Sequence, residues 1–284
     1  MIPNSIGIEA TTLKAMRETA YAKINLALHV RRRREDGYHE IETLFAFVNK
    51  GDTLRADSSR YDRVRVSGEF AGALTDPIDN IVMRALTVLP RFEGMEISLE
   101  KNLPVAAGLG GGSADAAAVF RMIELAHGLP DDWQARAAKL GADVPACVAS
   151  RMCLGHGTGT ELASVENDLQ GTPVILVNPR VPLATGPVFA GWDGQDRGPL
   201  PEGPASKIAA EGRNDLEASA IDLCPAIADV LEVLGGTDAF VSRMSGSGAT
   251  CFALFRSREA QSAAADFLAR TRPDWWCLSG ELRA

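Results

Sequence analysis

An α/β or α+β protein organised in two domains is what the sequence predicts, on three observations. The chain has 284 residues and is 46% hydrophobic, enough to bury a large core and to fill one large domain or two moderate ones. Only 6% of it is aromatic while Gly and Ala are abundant, so packing relies on small and aliphatic side chains brought close together. Segments of period-two alternation are interleaved with segments of helical spacing, and the pattern resets near Gln170.

Taken in order, Tyr21 to Val30 alternates as a half-buried strand, with Ile24, Leu26, Leu28 and Val30 on one side and Lys23, Asn25 and His29 on a polar side. Arg31 to Gly37 is a charged connector, and the apolar stretch that follows, ending at Val48, pairs back as a hairpin. Strand-like segments run from Thr53 to Val66. Asn80 to Leu89 has helical spacing, with Pro90 as a stop, and Met95 to Glu100 alternates as a strand. An Ala-rich helix spans Ser113 to His127, and Gly128 is placed to end it. Beyond a boundary near residue 168, giving domains 1–167 and 168–284, come a strand at Pro173 to Asn178 and an exposed Gly/Pro-rich connector from Gly191 to Pro204. A helix over Ile221 to Leu234, a strand Ala239 to Met244, a glycine turn and a strand Thr250 to Arg256 complete the pattern.

The formal net charge of −8 disfavours nucleic acid and anionic membranes as partners, so any polyanionic ligand must be met locally. Five cysteines without a Cys-x-x-Cys pair read as buried, reduced thiols. Met1 to Ala20 holds no signal-peptide core and no run nears the ~18 apolar residues of a membrane span, so a cytoplasmic protein is expected. His29, His39, His127 and His156 show no i, i+4 pairing, which argues against a zinc site built by the protein. Four arginines, Arg31 to Arg34, interrupted at once by Glu35 and Asp36, read as a solvated connector.

The segment with the most restrictive physics is Gly108-Leu109-Gly110-Gly111-Gly112-Ser113. Its glycines let backbone N–H groups curve around an anion, and the following helix points its positive end at the same place. Ser113 could reach a phosphate oxygen or its Mg²⁺. No Gly-Lys-Ser/Thr occurs, and Ser113 stands where a Rossmann pattern needs its third glycine, so both rival phosphate motifs are excluded. By itself the turn fits either an anion cradle or a tight strand-to-helix connection. Lys23 alone could face water, and Asp143, before Val144-Pro145, could be a helix N-cap. A second turn, Ser245-Gly246-Ser247-Gly248, suits another backbone approach to phosphate or a plain strand connection.

Together these segments resemble the GHMP kinase superfamily. Ala22-Lys23-Ile24-Asn25-Leu26, Pro104 to Ala116 and Met244 to Thr250 are similar to its three motifs, in order and at comparable spacing. Asp36-Gly37-Tyr38-His39 with Glu42-Thr43-Leu44-Phe45, Leu140 to Pro145, and Asn214-Asp215-Leu216-Glu217 resemble the branch that phosphorylates diphosphocytidyl-methylerythritol. The resemblance implies an α+β fold in two domains with the active-site cleft between them. It also implies transfer of the ATP γ-phosphate to the 2-hydroxyl of that small-molecule substrate, on the non-mevalonate route to isoprenoids.

The resemblance gives Asp143 the part of the base and Lys23 that of the cation that keeps it ionised and steadies the transferring group. It places ATP at Asn80, Lys101, Pro104, Gly108, Leu109, Gly110, Gly111, Gly112 and Ser113. Asn25, Tyr38, His39, Phe45, Thr185 and Phe189 fall at the substrate pocket, where a cytosine ring suits the aromatic faces of Tyr38 and Phe189 and the edge of His39. Mg²⁺ is expected to arrive on the nucleotide. Arg32 stands where the family commonly has glycine, and Thr160 where an acid is more usual. Another GHMP kinase, acting on homoserine or a mevalonate derivative, is the nearest rival, and a non-catalytic sensor or RNA-binding module a more distant one.

Overall fold

In the structure, a computed structural model that describes residues 16–74 and 80–284, two sheets stack face to face between outer layers of helices. The first sheet is built on two long strands, β1 (Met16–Arg33) and β2 (His39–Ser59), joined by a tight turn in which Arg34 N donates to Tyr38 O. β3 (Arg63–Ser67) runs parallel to β4 (Gly94–Glu100), which pairs with the second half of β2. β5 (Cys153–His156) pairs with the first half of β2 and with β6 (Glu161–Ala163). The second sheet, entered at Pro173, has the order β10-β7-β9-β8 and is antiparallel throughout: β7 (Pro173–Asn178), β8 (Val241–Met244), β9 (Cys251–Leu254) and β10 (Trp276–Glu281).

Helices α1 (Ile81–Val88), α2 (Gly111–His127), α3 (Trp133–Leu140) and α4 (Val144–Ala149) cover the outer face of the first sheet, where Phe47, Leu54, Ile97 and Leu99 pack against Val82, Val119 and Phe120. Between the sheets lie Ile24, Leu26, Leu44 and Val48 against Val174, Leu176, Phe252 and Leu254, with α6 (Ala205–Glu211) closing one end. Over the far face of the second sheet lie α5 (Thr185–Ala190), α7 (Glu217–Leu223), α8 (Ala226–Gly235) and α9 (Arg258–Thr271). Each fully buried Leu, Ile or Phe in these layers contributes about 1.5–3 kcal/mol relative to exposure.

Several expectations change. β1 is buried on both sides from Ala22 to Val30, so Lys23, Asn25 and His29 do not form a solvated polar face. The second sheet covers one side and α2 with the first turn of the cleft the other, and its polar residues point inward. Arg31 and Arg33 belong to β1 and not to a connector. The helix expected over Ile221–Leu234 is two helices, because Pro225 supplies no N–H and holds Cys224 out of helical geometry (φ −141°, ψ 81°). The tract from Gly191 to Pro204 is irregular yet anchored: Trp192 and Leu200 are buried, and Gly198 O accepts from Arg213 and meets His29 Nδ1 at 3.1 Å. Cys277 is exposed where the other cysteines are buried or half-buried. α9 and β10, the last two elements, carried no clear period, since only Ala264 and Leu268 of α9 are buried. Residues 1–15 of the stretch inspected for a signal-peptide core lie outside the described residues. Among those described, no helix is long and apolar enough to cross a membrane.

A buried ion cluster fastens β2, the end of β4 and α2. Lys101 Nζ donates to Asp52 and, at 2.8 Å, to Asp115 Oδ2, while Asp52 Oδ1 accepts from Leu103 N at 2.8 Å. Burial alone would lower Lys101, but the two carboxylates outweigh it and raise it above its ordinary value. Two carboxylates against one ammonium would leave a net buried charge. Burial, reinforced by Asp52 and only partly offset by Lys101, pushes the Asp115 carboxyl up to about 8. Its Oδ1 has no hydrogen-bond partner among the described residues.

A stability consequence follows by proton linkage. Between about pH 4 and about pH 8 the folded chain keeps a proton on Asp115 that the unfolded chain releases, so this group's contribution is lost as pH rises through that window. Asp115→Asn, which cannot ionise, is expected to gain in urea midpoint relative to the parent as pH rises from 5 to 8. A difference between the two proteins that does not change with pH would show that Asp115 is already ionised.

Candidate active site

The cleft between the two sheets' ends opens into a cavity of about 830 Å³. One wall is the glycine turn. Gly110 takes a left-handed conformation (φ 59°) as the N-cap of α2, so the first N–H groups of this 17-residue helix face the cavity with no side-chain cap. Gly108, Gly110, Gly111, Gly112 and Ser113 all line it. A Cβ at Gly110 would sit 2.9 Å from Lys23 Cε, so the turn and the lysine stem share a space that only glycine leaves open.

Lys23 is held from behind and in front. Its backbone N donates to Leu109 O at 2.9 Å, fixing β1 to the glycine turn. Its buried ammonium meets Asp143 Oδ2 at 3.0 Å, Asn25 Oδ1 at 2.9 Å and the face of Phe45 at 5.1 Å. Asp143 stands at the N-cap position of α4 but makes no side-chain capping bond there. Its carboxylate is aimed at Lys23 instead. Asp143 is also the more exposed partner, at 32% of its side chain against 5% for Lys23, so the carboxylate faces the cavity and the ammonium backs it.

The other end of the cavity is aromatic. His39, buried, lies 5.1 Å from the Phe189 ring and meets Trp192 edge-on at 5.8 Å. Tyr38 stands beside them, 64% exposed at the mouth. Arg33, the cross-strand partner of His39, donates from Nε to His39 Nε2 at 3.4 Å and from a terminal nitrogen to Ala190 O at 3.1 Å. Because a guanidinium always donates, His39 Nε2 must accept, which places the imidazole proton on Nδ1. Burial and then the Arg33 charge hold His39 below its ordinary value of 6.5, so the ring is neutral at neutral pH.

Four of the expected ATP residues do not line the cavity. Asn80 caps α1, its Oδ1 accepting from Val82 N at 2.9 Å, while its neighbour Ile81 reaches the cavity. Lys101 is engaged in the buried cluster behind the turn, and Pro104 and Leu109 are buried. The expected substrate residues Asn25, Tyr38, His39, Phe45, Thr185 and Phe189 all line it. The two departures from the family pattern do not line the cavity: Arg32 is exposed and paired with Glu40, and the Thr160 hydroxyl lies 3.4 Å from that of Thr158.

Other residues had been given no role. Ser245 Oγ accepts from Asn25 N at 3.1 Å and donates to Gly108 O at 2.8 Å. Asn214 Nδ2 donates to Met244 O and Gly246 O, each at 2.8 Å, and holds the second glycine turn in place. Ser247 faces the cavity and shares a 3.0 Å hydrogen bond with Thr185. Their only signal in the sequence was membership of a short motif. Neither Cys147 nor Cys153 lines the cavity, and burial pushes the first thiol well up and the second up to about 11, which disfavours their thiolates. Among the described residues no cluster of three metal-ligating side chains occurs.

Comparison with known proteins places this geometry. Residues 80–151 match the model of the GHMP kinases N terminal domain and residues 202–274 that of the GHMP kinases C terminal. The chain is 64% identical over 269 residues to 4-diphosphocytidyl-2-C-methyl-D-erythritol kinase of Novosphingobium aromaticivorans, covering 95% of this chain and 93% of that one. It is 60% identical to that of Erythrobacter litoralis, covering 94% and 99%. A crystal structure of 4-(cytidine 5'-diphospho)-2C-methyl-D-erythritol kinase superposes with a TM-score of 0.80 at 32% identity, over 95% of this chain and all of the other. Homoserine kinase from Cytophaga hutchinsonii, with a TM-score of 0.68 at 18% identity over 97% and 98%, shares the fold. The α+β fold, the three motifs and the near full-length identity lead to one assignment: the chain belongs to the 4-diphosphocytidyl-2-C-methyl-D-erythritol kinase family of the GHMP kinases.

Proposed function

We propose that this cavity transfers the γ-phosphate of ATP to the 2-hydroxyl of 4-diphosphocytidyl-2-C-methyl-D-erythritol, giving the 2-phosphate and ADP on the non-mevalonate route to isoprenoid precursors. The observation that carries the reading is the Lys23–Asp143 pair at 3.0 Å, set beside the unsatisfied N-terminus of α2 and opposite an aromatic wall. Phosphoryl transfer needs alignment and charge stabilisation more than covalent help. The uncapped N–H groups and the helix dipole suit the ATP phosphates. Asp143 accepts the hydroxyl proton, and Lys23 steadies charge on the group in transit. The oxygens of Ser113 and Asp143 on the cavity wall fit a Mg²⁺ that would come bound to the nucleotide and would neutralise phosphate charge.

The cytosine ring packs between Tyr38 and Phe189, with His39 reading its edge. Its Nδ1–H donor matches the N3 and O2 acceptors of cytosine. Phosphates are proposed to lie on the part of the chain before residue 168, while Thr185, Phe189 and Ser247 from the part after it complete the substrate end.

ATP consumption with diphosphocytidyl-methylerythritol, homoserine and mevalonate offered separately tests the substrate. Turnover of the first alone is expected, and equal turnover of either of the others would overturn it. Asp143→Asn should leave ATP binding nearly intact and lower kcat by a factor on the order of 10³. Near-normal turnover in that variant would remove Asp143 from the base role.

The His39 reading gives a pH dependence. A neutral ring is required, and its pKa lies below the ordinary 6.5, so KM for the cytidyl substrate should stay flat as pH falls through 6.5 and rise only lower. Arg33→Gln removes the second of the two causes and should move that rise to higher pH. A KM profile unchanged by the substitution would separate Arg33 from base recognition.

A further inference from the structure

Behind Lys23 runs a chain of three buried hydrogen bonds that passes through Asn25 and Thr43, the latter outside the cavity wall, and ends at Ala27 O. Thr43 lies on β2, fully buried, in register with Leu28 of β1 on one side and Gly155 of β5 on the other. Its hydroxyl donates to Ala27 O at 2.7 Å, at the point where β1 bulges between Asn25 and Ala27. A hydroxyl has one proton, so with that proton committed to Ala27 its oxygen can only accept. It accepts from Asn25 Nδ2 at 2.7 Å.

This fixes the Asn25 amide. With Nδ2 turned to Thr43, Oδ1 must face Lys23, where it accepts from Nζ at 2.9 Å. The reversed amide would press an NH₂ group against an ammonium and an acceptor against an acceptor, unfavourable at both ends in a buried site. We propose that Thr43 is a positioning residue for phosphoryl transfer: through the orientation of Asn25 it aims the Lys23 ammonium between Asp143 and the glycine turn. The inference rests on the reading of Lys23 and Asp143 as the reacting pair.

The surroundings support an aiming device. Phe45, two residues along β2, closes the apolar side of the ammonium at 5.1 Å, so Lys23 is confined by a carboxylate, an amide oxygen and a ring. Gly155 on β5 leaves the room that this needs, since a Cβ there would lie 2.6 Å from Phe45 Cε2 and 3.1 Å from Thr43 Cγ2. Without the amide oxygen the Lys23 ammonium keeps Asp143 and the Phe45 face but loses its second polar partner, and small misplacements of a charge beside the transferring group are costly.

Steady-state kinetics and melting temperatures of Thr43→Val, Thr43→Ser, Asn25→Ala and the Thr43→Val/Asn25→Ala double variant, with MgATP and diphosphocytidyl-methylerythritol, test it. Thr43→Val keeps the shape and loses the hydroxyl, and should lower kcat about 10- to 100-fold with the KM for ATP within about twofold. Thr43→Ser should restore most of kcat, and Thr43→Val should cost nothing further once Asn25 is Ala. If Thr43→Val does not fold, Thr43→Cys, a weak donor of similar size, is measured in its place. Full kcat in a variant lacking the hydroxyl, or a loss of the same size with and without Asn25, overturns the positioning role. High activity of Asn25→Ala would likewise overturn the positioning role, whereas high activity of Asp143→Asn would overturn the reading of the reacting pair, which keeps the two failures apart.

Discussion

The close approach of two backbones at Gly108 is the constraint on which the rest of the site depends. Its φ is 75°, and a Cβ there would lie 2.2 Å from Ser245 O and about van der Waals contact or closer to Gly248, so no other residue fits without moving a main chain. Around that point the two parts of the chain are tied by Ser245 Oγ to Gly108 O and by Thr250 N to Ala107 O, while Lys23 N to Leu109 O fastens the turn to β1. The first glycine turn is therefore held by β1 in front and by the second glycine turn behind. That is why the helix N-terminus, the lysine and the serine-rich turn share one cavity although they are separated by many tens of residues in the chain.

Two buried lysines in this molecule show how the same charge serves two ends. Lys101 is enclosed by Asp52 and Asp115 with no route to the cavity, and a buried pair of this kind is weak evidence of net stability yet costly to break by removing one partner. Lys23 has only one carboxylate, and that carboxylate is a third exposed. The first arrangement is closed and cements β2, β4 and α2 under the glycine turn; the second is open on the side where phosphate would come. The difference lies in what faces the ammonium, and the turn that separates them is only a few glycines thick: a Cβ at Gly111 would stand 3.5 Å from Lys101 Nζ.

The sequence made legible what local pattern encodes. α2 and the strands at β4 and β7 follow from helical spacing and alternation, and the glycine turn with its helix follows from composition that nothing but a close backbone approach requires. The layered core was not legible, because β1 alternates as though one face were wet while the second sheet and the cleft dry both. Asn80 and Lys101 were assigned by likeness of position, but whether a polar side chain faces a cavity or its own helix end and ion cluster depends on contacts across the sheet. Thr43 was invisible for a related reason. A threonine in a strand is ordinary, and its part emerges only from which single proton its hydroxyl has left to give.

The arginine run shows the limit of reading charge from composition. Three of its four members are neutralised beside the strand pair: Arg31 by Glu42 and Asp196, Arg32 by Glu40, Arg34 by Asp36. In that sense the run is the solvated, paired segment its acidic neighbours imply. Arg33 differs because, as the last residue of β1, it is turned to the side of its cross-strand partner His39 and the cavity. A chain of net charge −8 thus presents a cation to its cleft beside an imidazole that burial and this charge hold below its ordinary pKa. One residue of strand register, not the number of arginines, decides that outcome, since a slip of one position would send Arg33 outward and bring a paired arginine in.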